Sequence, residues 1–411
     1  MKRTLFFMLI TLSMNFCHAE RISLESYSKS LDSLPIAVIP FSSTDNKIIS
    51  SDEPWNVISD DLAFSGRFMV TNSPTPDTAL FVQKNIPVFI DGKYSINGSL
   101  IVMDCYLHDA KTRDVIAEKR YNGENKTIRS MAHGFSNEIV SMLFNDKGIF
   151  SSKICYVRDE GAVKNIMVMD YDGRNLKQFT NNNSINIFPA FFDSLNILWT
   201  TYVRGQADIF KGAIYSKKFQ PLIGGRNTET SPAVSIIYGK IAFASTRDGN
   251  MEIYVCEADG TGIKRLTFNK SIDTSPCWAP GGMQIAFTSD RGGSPQIYIM
   301  DADGANVHRL TYEGSYQDSP EWSPKGDKIA YMSQSNGKFE IYTIQPDGTN
   351  VFKVTSMSGN NEYPSWSADG THIVFSSKNG AKSDLYAIMS DGTHLKRLTF
   401  TGNAKMPDWS E

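Results

Sequence analysis

The 411-residue chain is predicted to hold two domains, a small N-terminal α/β domain followed by an all-β six-bladed propeller closed by the C-terminal strand. Three observations carry that prediction. Pro189, Pro232, Pro276, Pro320, Pro364 and Pro407 follow one another at steps of 43, 44, 44, 44 and 43 residues. Each unit reads as four short strands joined by Gly-rich turns. The two ends of the repeat are incomplete in complementary ways. Self-similarity at this period marks a propeller or a solenoid.

The unit 275–311 shows the internal order. Strand-like runs at Pro276–Ala279, Gln284–Ser289, Gln296–Asp301 and Val307–Thr311 alternate with Pro-Gly-Gly, Asp-Arg-Gly-Gly-Ser and Ala-Asp-Gly connectors. Gly and Asp-Gly supply the positive-φ residues that tight hairpins need. Four antiparallel strands per unit make a propeller blade. The second run is apolar without alternation, as in Ile241-Ala242-Phe243, Ile285-Ala286-Phe287, Ile329-Ala330-Tyr331 and Ile373-Val374-Phe375. A strand covered on both faces, here by neighbouring blades, has that composition.

The first unit opens at Ile154-Cys155-Tyr156-Val157 with a second-strand pattern and lacks a first strand. The chain stops at Met406-Pro407-Asp408-Trp409-Ser410-Glu411, a first strand with nothing after it. The C-terminal strand is therefore expected to complete the first blade and close the ring, which removes the open sheet edge. Blade two is degenerate, because Ile214–Ile223 has neither the Asp-Gly turn nor the Arg-Leu-Thr that ends other units.

Residues 20–150 lack the repeat. Lys2 and Arg3, the apolar stretch Leu5–Met14 and Cys17-His18-Ala19 read as a secretory signal, residues 1–19, cut after Ala19. A lipoprotein reading at Cys17 is disfavoured by the bulky Phe16 before it. Residues 20–34 are a polar N-terminal arm, 35–150 the α/β domain and 151–411 the propeller. Within the α/β domain, Ile36–Phe41 and Arg67–Val70 read as strands, and Ser95–Leu107 with Asp114–Tyr121 as a strand pair. Asp52–Phe64 reads as a helix that Asp52 caps and Pro54 starts. Thr127–Phe144 is the clearest helix, with Ile128, Met131, Ala132, Phe135, Ile139, Met142 and Leu143 on one face.

The net charge of −3 offers no basic excess for nucleic acid. No apolar run after the signal reaches membrane-spanning length, so the chain after the signal is expected to be soluble and exported. It is further expected to be a monomer whose membrane association is indirect only. Cys105, Cys155, Cys256 and Cys277 are far apart and without a CxxC, which favours buried small hydrophobes over a disulfide framework. There is no G-x-S-x-G, H-E-x-x-H or Walker motif, and the histidines fall in unrelated registers. No catalytic residue, metal or cofactor is assigned. The turns Asp170-Tyr171-Asp172-Gly173 and Asp301-Ala302-Asp303-Gly304 resemble fragments of a calcium loop, but their counterparts start with Glu257 and Gln345, so a hairpin turn explains them better.

Blade topology sorts the loops onto two ends. The stereotyped Gly turns lie at one end. The blade-to-blade connectors and the second-to-third-strand turns lie at the other. The connectors include Thr228-Glu229-Thr230-Ser231, Asp273-Thr274-Ser275, Gln317-Asp318-Ser319 and Asn361-Glu362, and the turns outside them carry Arg158, Arg204, Arg247, Arg291 and Lys378. Two readings of this end stay open. One is a solvated loop face with internal salt bridges. The other is a partner-docking mouth with an acidic inner rim, Glu229, Asp273, Asp318 and Glu362, and a basic outer ring.

The whole chain after the signal resembles the TolB family, the periplasmic component of the Tol–Pal envelope system. Four stretches carry the resemblance: Pro35–Phe41 after a short arm; Asp61-Leu62-Ala63-Phe64-Ser65-Gly66-Arg67-Phe68, similar to D-L-x-x-S-G-x-F; Gly148–Ile154, similar to G-x-F-x-x-x-I; and the blades, similar to P-x-W-S-P-x-G…I-A-F…I-Y…D-G…R-L-T. The resemblance implies a non-enzymatic periplasmic adaptor. Its propeller mouth would bind a Pal-like peptidoglycan-associated lipoprotein, and its arm a TolA-like inner-membrane protein. It places lipoprotein contacts on the connectors before the repeated prolines, foremost Thr228, Ser231, Thr274 and Ser275. It places TolA contacts on Arg21, Ile22 and Leu24, the apolar pair serving as teeth for β-augmentation. The alternative is an exported propeller hydrolase or lyase acting on peptide or oligosaccharide. A prolyl-peptidase-like version would need a following hydrolase domain with G-x-S-x-G.

Overall fold

The computed structural model describes residues 33–49, 53–216 and 218–410. The chain divides into two compact units between Asp146 and Lys147. The predicted signal and the arm as far as residue 32, with Arg21, Ile22 and Leu24, lie outside the described residues, as does the Asp52 cap. Leu34, expected to end the arm, instead opens the first strand and is buried in the core.

The first unit is an α/β domain. Its strands are β1 (Leu34–Val38), β2 (Ser42–Ser43), β3 (Phe68–Asn72), β4 (Val88–Asn97), β5 (Leu100–Asp109) and β6 (Val115–Glu124). Its helices are α1 (Pro54–Phe64), α2 (Thr78–Gln83) and α3 (Ile128–Phe144). The sheet order is β3-β1-β4-β5-β6, with β1 parallel to β3 and β4 and with β4, β5 and β6 an antiparallel meander. Helix α1 begins with Pro54 in its first turn, where the missing N–H costs nothing. The predicted face of α3 is buried at Ile128, Met131, Ala132, Phe135, Ile139 and Leu143. His133 Nδ1 of α3 lies 2.9 and 3.0 Å from the two carboxylate oxygens of Asp61 on α1, and both side chains are buried.

One expectation is corrected here. Ser95–Leu107 is not a single strand but straddles the turn between β4 and β5, which pair at Asn97 and Leu100. Gly98 in that turn has φ +62°, and Asn-Gly is the strongest short hairpin signal.

The second unit is a ring of six four-stranded sheets, with strands a to d in chain order in blades 2 to 6 and the C-terminal strand as strand a of blade 1. Blade 1 consists of Ala404–Trp409, Lys153–Asp159, Lys164–Asp170 and Lys177–Gln178. Blade 2 has Asn186–Asp193, Asn196–Thr201, Asp208–Ala213 and Phe219–Ile223. Blade 3 has Glu229–Ser235, Lys240–Ser245, Glu252–Glu257 and Lys264–Arg265. Blade 4 has Asp273–Trp278, Gln284–Ser289, Gln296–Asp301 and His308–Arg309. Blade 5 has Tyr316–Trp322, Ile329–Ser335, Lys338–Ile344 and Phe352–Lys353. Blade 6 has Asn360–Trp366, His372–Asn379, Lys382–Met389 and Lys396–Arg397.

The closing strand pairs antiparallel with Lys153–Asp159, Trp409 opposite Ile154 and Ala404 opposite Arg158. Ser410 Oγ accepts from Lys153 N at 2.8 Å, and Trp409 Nε1 donates to Ser152 Oγ at 2.7 Å. The apolar runs of the second strands are buried, as at Ile241, Ala242 and Phe243. The apolar clusters run from blade to blade: Ala244, Ile253 and Leu266 of blade 3 pack with Trp278, Ile285 and Phe287 of blade 4.

The Arg-Leu-Thr ending has a physical reason at each letter. Leu266, Leu310 and Leu398 are core residues. Thr267 Oγ1 accepts from Ile253 N at 2.9 Å and donates to Glu252 at 2.6 Å. Arg265 reaches the same carboxylate at 2.9 Å. Thr399, Asp384 and Arg397 repeat this arrangement in blade 6. Blade 2, which lacks the motif, instead has a five-residue outer strand, where the other blades have two. The calcium-like turns are hairpins that bond internally: Asn175 Nδ2 donates to Asp170, and Asn306 Nδ2 to Asp301, each at 2.6 Å. Cys105, Cys155, Cys256 and Cys277 are buried and unpaired.

Candidate functional site

The repeated proline shapes the channel. In every blade two residues of strand a, the proline and the one before it, oppose a single residue of strand b. That is a β-bulge, and proline suits it because it brings no N–H that the ladder would leave unpaired. The residue opposite is a buried aromatic, Trp199, Phe243, Phe287, Tyr331, Phe375 or Tyr156. The residue before each proline takes a left-handed conformation: Phe188, Ser231, Ser275, Ser319, Tyr363 and Met406 have φ between +49° and +56°. For non-glycine residues this costs about 1–2 kcal/mol each, and strain of this kind concentrates where side chains are aimed for function. All six line a central cavity of about 690 Å³.

The structure divides the predicted site residues. Ser231 and Ser275 line the cavity, whereas Thr228, Thr274, Asp318 and Glu362 do not. The cavity continues from the bulges toward the turns between strands a and b, past Ile237, Pro280 and Ala368, away from the connectors. Thr228 and Thr274 are half-buried at the connector end. Asp318 bridges blades 4 and 5, accepting from Thr288 Oγ1 at 2.8 Å and Ser275 Oγ at 3.1 Å. Glu362 is half-buried, and burial pushes its carboxyl upward against the charges of Lys378 and Lys405.

Glu229 and Asp273 do not form an exposed acidic rim. They are 1% and 0% exposed. Arg247 binds Glu229 at 3.0 Å and Arg291 binds Asp273 at 2.7 Å. Each guanidinium also lies about 5 Å from two ring centroids of its own blade, Phe243 and Tyr254 or Phe287 and Tyr298. In blades 3 and 4 the expected basic ring is therefore folded into the structure as internal salt bridges. Burial raises both carboxyls above their ordinary values, outweighing the arginines beside them.

The connector end presents a different surface, which the sequence reading missed. The residue after Arg-Leu-Thr is aromatic in three blades, and Phe268, Tyr312 and Phe400 are 73%, 73% and 74% exposed. Arg265, Arg309 and Arg397 lie over these rings at 4.7, 4.9 and 4.7 Å from the centroids. Ile272, Tyr202 and Val203 are exposed at the same end. Rigid aromatic and arginine groups are the residue types enriched where interfaces hold their binding energy. The available signal was an aromatic recurring at one register outside the buried Leu.

Among the described residues, no group of three His, Cys, Asp or Glu is arranged to hold a metal ion, and no helix is long and apolar enough to cross a membrane.

The family model described as the TolB beta propeller domain matches residues 140–411. Over 239 residues the chain is 32% identical to the protein TolB homolog of Chlorobium chlorochromatii, covering 54% of this chain and 52% of that one. Over 264 residues it is 32% identical to the Tol-Pal system protein TolB of Desulfosudis oleivorans, covering 58% of each. The chain thus spans little more than half the length of these curated relatives. The crystal structure of TolB from Acinetobacter baumannii shares the fold, with a TM-score of 0.80 at 24% identity over 92% of this chain and 96% of that one.

Proposed function

The chain belongs to the TolB β-propeller family, and on that premise we propose that it is a non-catalytic periplasmic adaptor of a Tol–Pal system. In this reading it links a TolA-like inner-membrane protein to a Pal-like peptidoglycan-associated lipoprotein. It thereby helps maintain the outer membrane and its constriction at division. The observation that carries the docking assignment is the connector end of the propeller. There Phe268, Tyr312 and Phe400 stand exposed under arginines. Thr228, Thr274, Asp318 and Glu362 lie on the connectors inside them, and Ser231 and Ser275 begin the channel. Glu229 and Asp273 support that surface from below, through Arg247 and Arg291.

Arg21, Ile22 and Leu24 of the arm are proposed as the TolA-like contact, an extended segment that adds to the partner's sheet. The test uses the purified soluble domains of the two partners from the same organism. Removing residues 20–32, which spares the buried Leu34 of β1, should abolish binding of the TolA-like domain and leave lipoprotein binding intact. Unchanged affinity for the TolA-like domain would remove the arm from the account. Absence of any complex between the intact protein and the lipoprotein would refute the adaptor reading.

A further inference from the structure

The cavity below the bulges is distinct from the connector surface, and its lining has a chemistry of its own. One wall is aromatic. Phe188 of blade 2 and Tyr363 of blade 6 meet edge to face with centroids 6.4 Å apart, and Trp322 and Trp366 continue that lining. The charged groups of the lining are the carboxylates of Asp193, Glu321 and Asp408 and the single ammonium of Lys147. Asp193 is used in its own turn, accepting from Leu195 N and Asn196 N. Asp408 accepts from Phe191 N at 2.7 Å and from Ser365 Oγ at 3.3 Å, so its carboxylate is held in place at the junction of three blades. The buried Cys277 thiol is pushed well above its ordinary value, first by burial and then by the charges of Glu321 and Asp408. The Tyr363 phenol is pushed up by burial and by Glu362 and Asp318.

Aromatic faces beside carboxylates in a partly enclosed, low-dielectric space attract a cation that also has apolar surface. The volume suits a ligand of drug-like size. We propose that the channel is a binding site for an organic cation with an apolar stem, an alkylammonium or guanidinium group, held between the Phe188–Tyr363 wall and the carboxylates of Glu321 and Asp408. That chemistry is offered by a free polyamine and by a lysine or arginine side chain of a partner. Ile236 and Ile237 at the turn end of the lining are 55% and 69% exposed and supply an apolar lip for the stem. The site shares only Ser231, Ser275 and Ser319 with the connectors; Thr228, Glu229, Asp273, Thr274, Asp318, Glu362 and the exposed aromatics are not part of its lining.

The experiment titrates the full-length protein with spermidine, with a short lysine-containing peptide and with the uncharged 1,8-octanediol. Binding is read by calorimetry and by tryptophan fluorescence. At least one cation should bind saturably and the diol should not. Tighter binding of spermidine identifies a free polyamine, and tighter binding of the peptide a side chain of a partner. Glu321→Gln and Tyr363→Leu, each checked for an unchanged melting transition, should weaken the bound cation roughly tenfold, the scale of one desolvated cation–π or charge contact. No saturable response to either cation overturns the proposal. So does equal binding of the diol, or unchanged affinity in both variants.

Discussion

Gly304 lies against the main-chain carbonyl of Leu266 on the preceding blade: a Cβ added at 304 would stand 2.7 Å from that oxygen. Gly304 also has φ +96°, in the region that side-chain-bearing residues avoid. The Asp-Gly turn therefore serves two purposes, reversing the chain and letting adjacent blades close up. Gly348, at the same register one blade on, has φ +84°, but its Cβ would stand 3.7 Å from the Leu310 carbonyl.

These two glycines give a paired prediction. Gly304→Ala should cost roughly 2–4 kcal/mol, the strain of positive φ plus an overpacked contact. Gly348→Ala should cost only the backbone part, about 1 kcal/mol. Chemical denaturation of the two variants measures both. Equal losses would show that the close approach to Leu266 carries no weight.

Ring closure should be sensitive to acid through Asp159. This residue binds Lys405 of the closing strand at 2.7 Å and Lys164 of its own blade at 2.6 Å. Burial acts to raise its carboxyl, but hydrogen bonds from Lys164 and Lys405 prevail and hold it well below its ordinary 3.8. A carboxyl lowered by folding contributes stability above its unfolded value and loses it as pH falls toward the folded one. Asp159→Asn should therefore lower the melting temperature near neutral pH by about 2–4 °C, the scale of 1 kcal/mol in a protein of this size. The difference from the natural protein should shrink below about pH 4. A difference that stays constant down to pH 2 would contradict the assignment.

Asp273 should act with the opposite sign. Its carboxyl is raised above 3.8 by burial, with Arg291 opposing. The folded protein thus keeps this proton to higher pH than the unfolded chain does. The associated stability is present below the unfolded value and declines as pH rises through the folded one. Asp273→Asn should flatten the fall in stability on going upward from about pH 4. Denaturation midpoints at several pH values check this, and an unaltered slope would count against it.

Much of the propeller was legible because its period is enforced by packing. Pro-x-Trp, the apolar second strand and Asp-Gly recur since each blade meets the same neighbours, and the missing first strand before Ile154 anticipated its pairing with Trp409. What escaped was set by register. A residue before proline is steered to extended backbone, so the left-handed turn at Ser275 is visible only once Thr274 pairs with Thr288 and Cys277 with Ala286. Glu229 and Arg247 are 18 residues apart, and nothing in their spacing says that the connector and the turn meet. Phe268 follows a buried Leu266 by two residues, which in a strand would place it in the core. The strand ends before it, at Arg265, and leaves it exposed. Helix α2, six residues long, is too short for a helical period to show.

The most direct test of the adaptor account is a calorimetric titration of the purified lipoprotein domain against three forms of this protein. The natural protein should bind. Phe268→Ala with Tyr312→Ala should weaken binding at least tenfold, since each exposed aromatic is expected to contribute about 1 kcal/mol or more. Ile237→Ala with Met283→Ala, at the other end of the ring, should leave affinity within about twofold. Loss of binding in the second double variant with none in the first would contradict docking at the connector end.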